Sequence, residues 1–236
     1  MKIDPKFLNS VVGIVSDQNG EPDWIASGFL YNYRGSYYIV TNKSVLKGLP
    51  YIFIVSNSQE EPEFGYDLDL EDKWGDRRLW MCHPNPEVDI AVIPIFRSHP
   101  LAKYAMDNSF SYGDVADIEK MGKLGIYEGE FIYMIGYYNV PIDHKLFSGV
   151  VVRGGIVSRI RNVLVDEAHE FLIEPFSNPV YGGSPVVYVK NRKSYLVGVT
   201  SGFRSSIGIE AIHPMDFVNE VIDSVYEKSL FAAVYV

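Results

Sequence analysis

Asn178-Pro179-Val180-Tyr181-Gly182-Gly183-Ser184-Pro185-Val186 is the stretch whose reading decides the fold, and it does so together with segments on either side of it. Upstream stand Ser27-Gly28-Phe29-Leu30 and Tyr37-Tyr38-Ile39-Val40-Thr41-Asn42-Lys43-Ser44-Val45-Leu46-Lys47-Gly48. These are followed by His83-Pro84-Asn85-Pro86-Glu87-Val88-Asp89-Ile90-Ala91-Val92-Ile93-Pro94 and Gly154-Gly155-Ile156-Val157-Ser158. Downstream comes Tyr195-Leu196-Val197-Gly198-Val199-Thr200-Ser201-Gly202. Short runs rich in β-branched and aromatic residues, bounded by turn residues, read as strands. They cover 11–15, 27–33, 37–42, 51–56, 79–82, 90–95, 131–137, 150–161, 163–165, 171–175, 184–189, 196–201 and 207–211. Tyr33-Arg34-Gly35-Ser36 and Asn191-Arg192-Lys193-Ser194 read as hairpin turns, Gly35 being free to take φ > 0. Many short strands with regular turns point to a sandwich or a barrel.

Taken in order, these segments resemble the trypsin-like (chymotrypsin-fold) serine peptidases, in particular the intracellular bacterial type, over about residues 11–212. The resemblance, and not the periodicity, implies an all-β fold of two six-stranded antiparallel β-barrels with a C-terminal α-helix. One peptidase unit would then fill the chain: a first barrel over residues 8–99, a linker over 100–128, a second barrel over 129–212, and a helix with an apolar tail over 213–236. The resemblance also places the active site. The family's histidine falls on Ser44, its aspartate on Asp89, and its attacking serine, two residues before Ser184, on Gly182. Gly183 and Ser184 complete the nucleophile loop. Gly198, Val199, Thr200, Ser201 and Gly202 form the strand that such peptidases pair with a substrate backbone.

Two of the three triad positions are therefore substituted. In a serine triad the imidazole takes the serine proton, the carboxylate orients the imidazole, and backbone amides hold the oxyanion. A serine hydroxyl at Ser44 is far too weakly basic for the first task. Glycine at Gly182 has nothing to attack with. Loss of the serine or the histidine alone costs about 10⁶ in turnover, and loss of both costs little more. Shifting the nucleophile to Ser184 does not repair this. Pro185 follows it with no N–H to donate, and the general base is still missing.

Composition narrows the function further. The 236 residues are 47% hydrophobic and 14% aromatic, with 17 Tyr, 13 Phe and 20 Gly, which suits a soluble β-protein with an ample core and many turns. The net charge of −9 weighs against a nucleic-acid partner, whose affinity rests on Lys and Arg meeting phosphates. No segment approaches the ~20 apolar residues of a membrane span, and Met1–Lys6 has no apolar run of the kind a signal peptide carries. One cysteine, Cys82, cannot form an internal disulfide, which points to a reducing cytoplasm.

Other chemistry finds no support. Counted as a calcium loop from Asp67, the chain has Asp72 and Arg78 where Gly and Glu belong. The stretch reads instead as a strand with Asp67, Asp69 and Glu71 facing water and Leu68 and Leu70 inward. The histidines at 83, 99, 144, 169 and 213 show no metal-ligand spacing, so no metal or other cofactor is expected. Cys82 and His83 are adjacent on a strand and point to opposite faces. Residues 100–128 read as a linker with one short helix. Residues 213–229 read as a helix, with Pro214 in its first turn and Phe217, Val218, Val221, Ile222 and Val225 on one stripe. The apolar tail Phe231–Val236 is expected to pack back on the molecule.

The function that follows is a catalytically inactive protease homologue in a bacterial cytoplasm, a binding or regulatory module for a peptide or protein in the inter-barrel cleft. That cleft would have more room at Gly182 and an uncompensated carboxylate at Asp89. The alternatives are an active serine endopeptidase with a non-standard constellation (Ser184 with a histidine from another loop), an engineered inactive form, or a structural subunit. Designed knockouts usually change one residue to alanine, which weighs against the engineered form.

Overall fold

Runs such as Phe29-Leu30-Tyr31 are apolar at every position because both faces of their sheet are buried. A computed structural model describes the chain over residues 3–17, 22–57, 65–72, 77–142, 145–176 and 181–234. The first half holds β1 (Val11–Asp17), β2 (Pro22–Tyr33), β3 (Ser36–Thr41), β4 (Tyr51–Val55), β5 (Tyr66–Asp69), β6 (Met81–Cys82) and β7 (Ala91–Ile95). They form one curled sheet in the order β5-β4-β1-β2-β3-β7-β6, and β8 (Phe110–Ser111) adds in parallel to β2. Successive side chains alternate between the faces of this sheet. Val12, Leu30, Ile39 and Ile93 fill its concave interior. Val11, Phe29, Tyr31, Val40 and Val92 turn the other way, into a second core.

The second half is a closed barrel of six strands in the order β10-β11-β14-β13-β12-β9. They are β9 (Phe131–Ile142), β10 (Lys145–Arg159), β11 (Phe171–Pro175), β12 (Pro185–Lys190), β13 (Lys193–Arg204) and β14 (Ile209–Pro214). Met134, Phe171, Val186, Val197 and Ile212 fill its interior. Val187, Val189, Leu196 and Val199 point outward onto the Phe29–Tyr31 face of the first sheet, in a core shared by both halves. A helix, Met215–Val234, closes that shared core with Met215, Val218, Val221 and Ile222.

The all-β class, the closed six-stranded barrel and the C-terminal helix agree with expectation. The first unit differs in strand count, with eight strands among the described residues, arranged in an open ladder. Among the described residues its free ends meet through the Glu71–Arg78 bridge, a Leu79 N–H to Leu70 O bond of 2.8 Å and an Asp72 N–H to Arg77 O bond of 2.8 Å. β6 is two residues long because the chain turns at His83-Pro84, and proline cannot donate to a ladder.

Three local readings also need correction. Residues 163–165 are not a strand; Arg161–Leu164 is one helical turn. Its first amides, those of Ile160 and Arg161, donate to the Glu128 carboxylate, a cap supplied from another segment and invisible to local pattern. Residues 100–128 contain two helices, Leu101–Asn108 and Ile118–Leu124, where one was expected. They bury Leu101, Ala102 and Ala105 under the first sheet and Met121 in the barrel. The last helix begins at Met215, because His213 and Pro214 still belong to β14, paired with Val199 and Gly198. The side chains of Val225 and of the tail Phe231–Val236 lie outside the described residues. The hairpin turns stand as read: Arg34 and Gly35 have φ of 51° and 83°, and Asn191 and Arg192 have 51° and 65°. Leu68 and Leu70 point inward and Asp67 and Asp69 outward, as alternation requires.

Candidate functional site

β3 ends at Thr41, and the buried Asn42 starts a single helical turn, Lys43–Leu46, that brings Ser44 to the mouth of the first sheet. Asp89 lies just before β7, across from it. The Ser44 hydroxyl donates to Asp89 Oδ2 at 2.6 Å and the Ser44 amide to Oδ1 at 2.8 Å. One residue thus satisfies both carboxylate oxygens, so Asp89 is not the uncompensated acid expected from sequence. The Asp89 backbone is held as well. Its carbonyl accepts from Asn42 Nδ2 at 2.7 Å, and its amide donates to His213 Nε2 at 3.0 Å.

Gly182 faces the same point from the barrel. A Cβ built on it would lie 2.7 Å from Asn42 Oδ1, closer than real contacts allow. The space beside Gly182 is therefore filled by the Asn42 amide, which the Asp89 carbonyl anchors; the extra room expected there does not exist. Ser44, Asp89 and Gly182 do converge, with Asn42 between them.

The loop around Gly182 is stitched to both halves. The Ser27 amide donates to Gly182 O at 3.0 Å, and the Gly183 amide to Thr200 O at 3.0 Å. Gly183 has φ of 82°, and a Cβ there would run into Ser27 O and Thr41 Oγ1, so only glycine fits. Ser184 is 0% exposed, and its hydroxyl donates to Tyr181 O at 2.7 Å. Its amide donates to Thr200 Oγ1 at 3.0 Å. No histidine bonds to it among the described residues.

The candidate peptide strand divides into two parts. Gly198 and Val199 are laddered on both sides, to β12 and to β14. The Thr200 amide and carbonyl are taken by Ser184 O and the Gly183 amide. The ladder to β14 skips Ser201 at an irregularity, and from Gly202 to Arg204 β13 pairs with β14 alone, its other edge having no ladder partner among the described residues. Among the described residues, nothing lies within 4 Å of a Cβ built on Gly202. An open cavity of about 550 Å³ lies on the other side of the Ser44–Asp89 pair, bounded by Lys43, Lys47, Arg78, Trp80 and Cys82. The described residues hold no group of three or more His, Cys, Asp or Glu side chains able to take a metal.

Two functional-looking residues escaped the sequence reading. His213 is 1% exposed, and both its nitrogens are used: Nε2 accepts the Asp89 amide while Nδ1 donates to His169 O at 2.9 Å. Burial pushes its pKa below the ordinary histidine value. Glu210 is also 1% exposed, with Oε2 buried and without a hydrogen-bond partner among the described residues, and burial pushes its pKa up to about 7. It points into the barrel on the same face of β14 as Ile212, near Tyr138, whose ring lies 5.3 Å from that of Tyr181. No local signal marks either residue, since each acquires its surroundings from distant strands.

No family model and no curated protein matches the chain. Solved structures do. The catalytically inactive tobacco etch virus protease complexed with substrate aligns over 90% of this chain and 81% of its own, at 12% identity and a TM-score of 0.54. The catalytically active tobacco etch virus protease complexed with product covers 91% and 76%, at 13% identity and 0.52. The tobacco vein mottling virus protease covers 91% and 81%, at 12% identity and 0.53. Identities this low carry the fold and not the narrower bacterial family suggested by the motifs. The chain has the chymotrypsin-like protease fold.

Proposed function

We propose that this chain is a protease-fold protein that no longer hydrolyses peptides and instead holds an extended peptide or protein segment between its two β units. The observation that carries this reading is the closed Ser44–Asp89 pair, 2.6 Å and 2.8 Å, standing where a general base and its orienting carboxylate would be. A hydroxyl spent on a carboxylate does not accept a proton near neutral pH. Glycine at position 182, with Asn42 filling the adjacent space, supports the same reading from the other side of the cleft. The endopeptidase alternative through Ser184 is opposed by that residue's burial and by its bond to Tyr181 O.

Binding is supported by the β13 edge at Gly202–Arg204, which has no ladder partner among the described residues and where an extended segment adds as a further strand through main-chain hydrogen bonds. The single cysteine supports a reducing compartment such as the cytoplasm. A peptide library displayed on phage and selected on the full chain tests the reading. Enriched peptides are expected to remain intact by mass spectrometry and to slow amide exchange at residues 201–204. Cleaved peptides, or binding that leaves those amides unprotected, would sink it.

A further inference from the structure

The segment from Asn85 to Asp89 is held against the rest of the molecule by three imidazoles, each of which accepts one of its N–H groups. The Asn85 amide donates to His83 Nδ1 at 3.2 Å, Asn85 Nδ2 meets His169 Nε2 at 3.0 Å, and the Asp89 amide donates to His213 Nε2 at 3.0 Å. The orientation of the Asn85 side chain is fixed, because its Oδ1 accepts the Glu87 amide at 2.9 Å and leaves only the amine to face His169. The rings come from three places in the fold and surround one side chain. His83, His169 and His213 lie 5.2, 5.6 and 6.2 Å from the ring of Phe217 on the C-terminal helix.

A neutral imidazole offers one acceptor; an imidazolium offers none. Protonation of any ring in this set turns an accepted bond into two N–H groups facing each other. We propose that these histidines form an acid-sensitive latch: neutral, they seat Asn85–Asp89 and hence the Ser44–Asp89 pair, and protonated, they release it. Any consequence for peptide capture rests on the function proposed above; the latch itself does not.

The surrounding charges make His213 the decisive member. Its second nitrogen already donates to His169 O, so a new proton can go only to the nitrogen facing the Asp89 amide. Glu170 faces it, but that carboxylate is engaged by Arg204, and the Asp89 carboxylate is engaged by Ser44. Burial resists the charge, and a proton bound there is best accommodated by opening the segment to water. His83 differs, since its Nε2 lies 3.0 Å from the Glu220 carboxylate. On the same helix, Asp216 is turned away, accepting the Ile118 amide. His169 and Glu87 are exposed. From below, Lys43 Nζ donates to Asn85 O and Pro86 O at 2.9 and 3.0 Å, bonds that tether the segment once it is released.

Site-resolved amide exchange on the full chain without peptide, between pH 8 and pH 5 and expressed as protection factors, tests the latch. Protection at Asn85 and Asp89 is expected to fall about tenfold per pH unit below the transition, while the β9–β10 ladder keeps its protection. His213→Gln retains an acceptor near the Asp89 amide but cannot titrate, and should abolish the step at Asp89. Wild-type protection at Asp89 that stays flat to pH 5 overturns the proposal even if that variant folds poorly. So does a step that persists unchanged in His213→Gln. Failure to find a binding peptide would leave this measurement untouched and would count only against the proposed function.

Discussion

Gly182 and Gly183 are neighbours with different physical reasons for being glycine. At Gly183 the backbone demands it: φ is 82° and the Cβ direction is blocked by Ser27 O and Thr41 Oγ1. Gly183→Ala is expected to cost more than about 3 kcal/mol in thermal or urea unfolding, since strain and a backbone clash add. At Gly182 the obstacle is the Asn42 side chain, which can be removed. Glu210 gives a prediction of opposite sign. Its pKa is raised to about 7 by burial, so the native state disfavours the charge that the unfolded chain accepts readily. Stability tied to this group is present below the unfolded value near 4.5 and lost as pH rises through about 7. Glu210→Gln should therefore match wild type near pH 5 and exceed it at pH 8, by up to roughly 3 kcal/mol. Equal melting temperatures for the two proteins at pH 8 would show that the carboxyl is not destabilised by burial. That Ser44, Asp89 and Gly182 come near one another was legible in the sequence because motif order places them. The way Ser44 occupies both oxygens of Asp89 was not, because it depends on a 45-residue separation closing to 2.6 Å.

At the scale of elements, strands with alternating or continuous apolar runs were readable, because side-chain period two is imposed by the backbone itself. Phe171–Pro175 has the bounds its sequence suggests. The turn at Arg161–Leu164 was misread because its β-branched Val163 suggests a strand, while the acid that caps it is Glu128, from another segment. The two halves also meet through an element contact that no local pattern announces: the Tyr137 amide on β9 donates to Ser27 Oγ on β2 at 3.0 Å, fully buried. Ser27→Ala would leave that amide without a partner, a loss of about 1–3 kcal/mol in unfolding free energy. A smaller effect, within about 0.5 kcal/mol, would mean that the strands shift to satisfy the amide elsewhere.

For the whole molecule, three cores explain the architecture: one inside the first sheet, one inside the barrel, and one between them under the C-terminal helix. The third binds the halves into a fixed geometry and so fixes the distance between Ser44–Asp89 and Gly182. The central claim, that this geometry no longer performs serine hydrolysis, is tested most directly with a fluorophosphonate probe. Wild type should be compared with a chain carrying Ser44→His, Gly182→Ser and Asn42→Ala, the last to clear the space at position 182. Wild type is expected to stay unlabelled while the triple variant labels at position 182, since the fold retains Asp89 and the loop that presents that position. Labelling of wild type at any residue, located by mass spectrometry of the adduct, would contradict the claim and identify a working nucleophile.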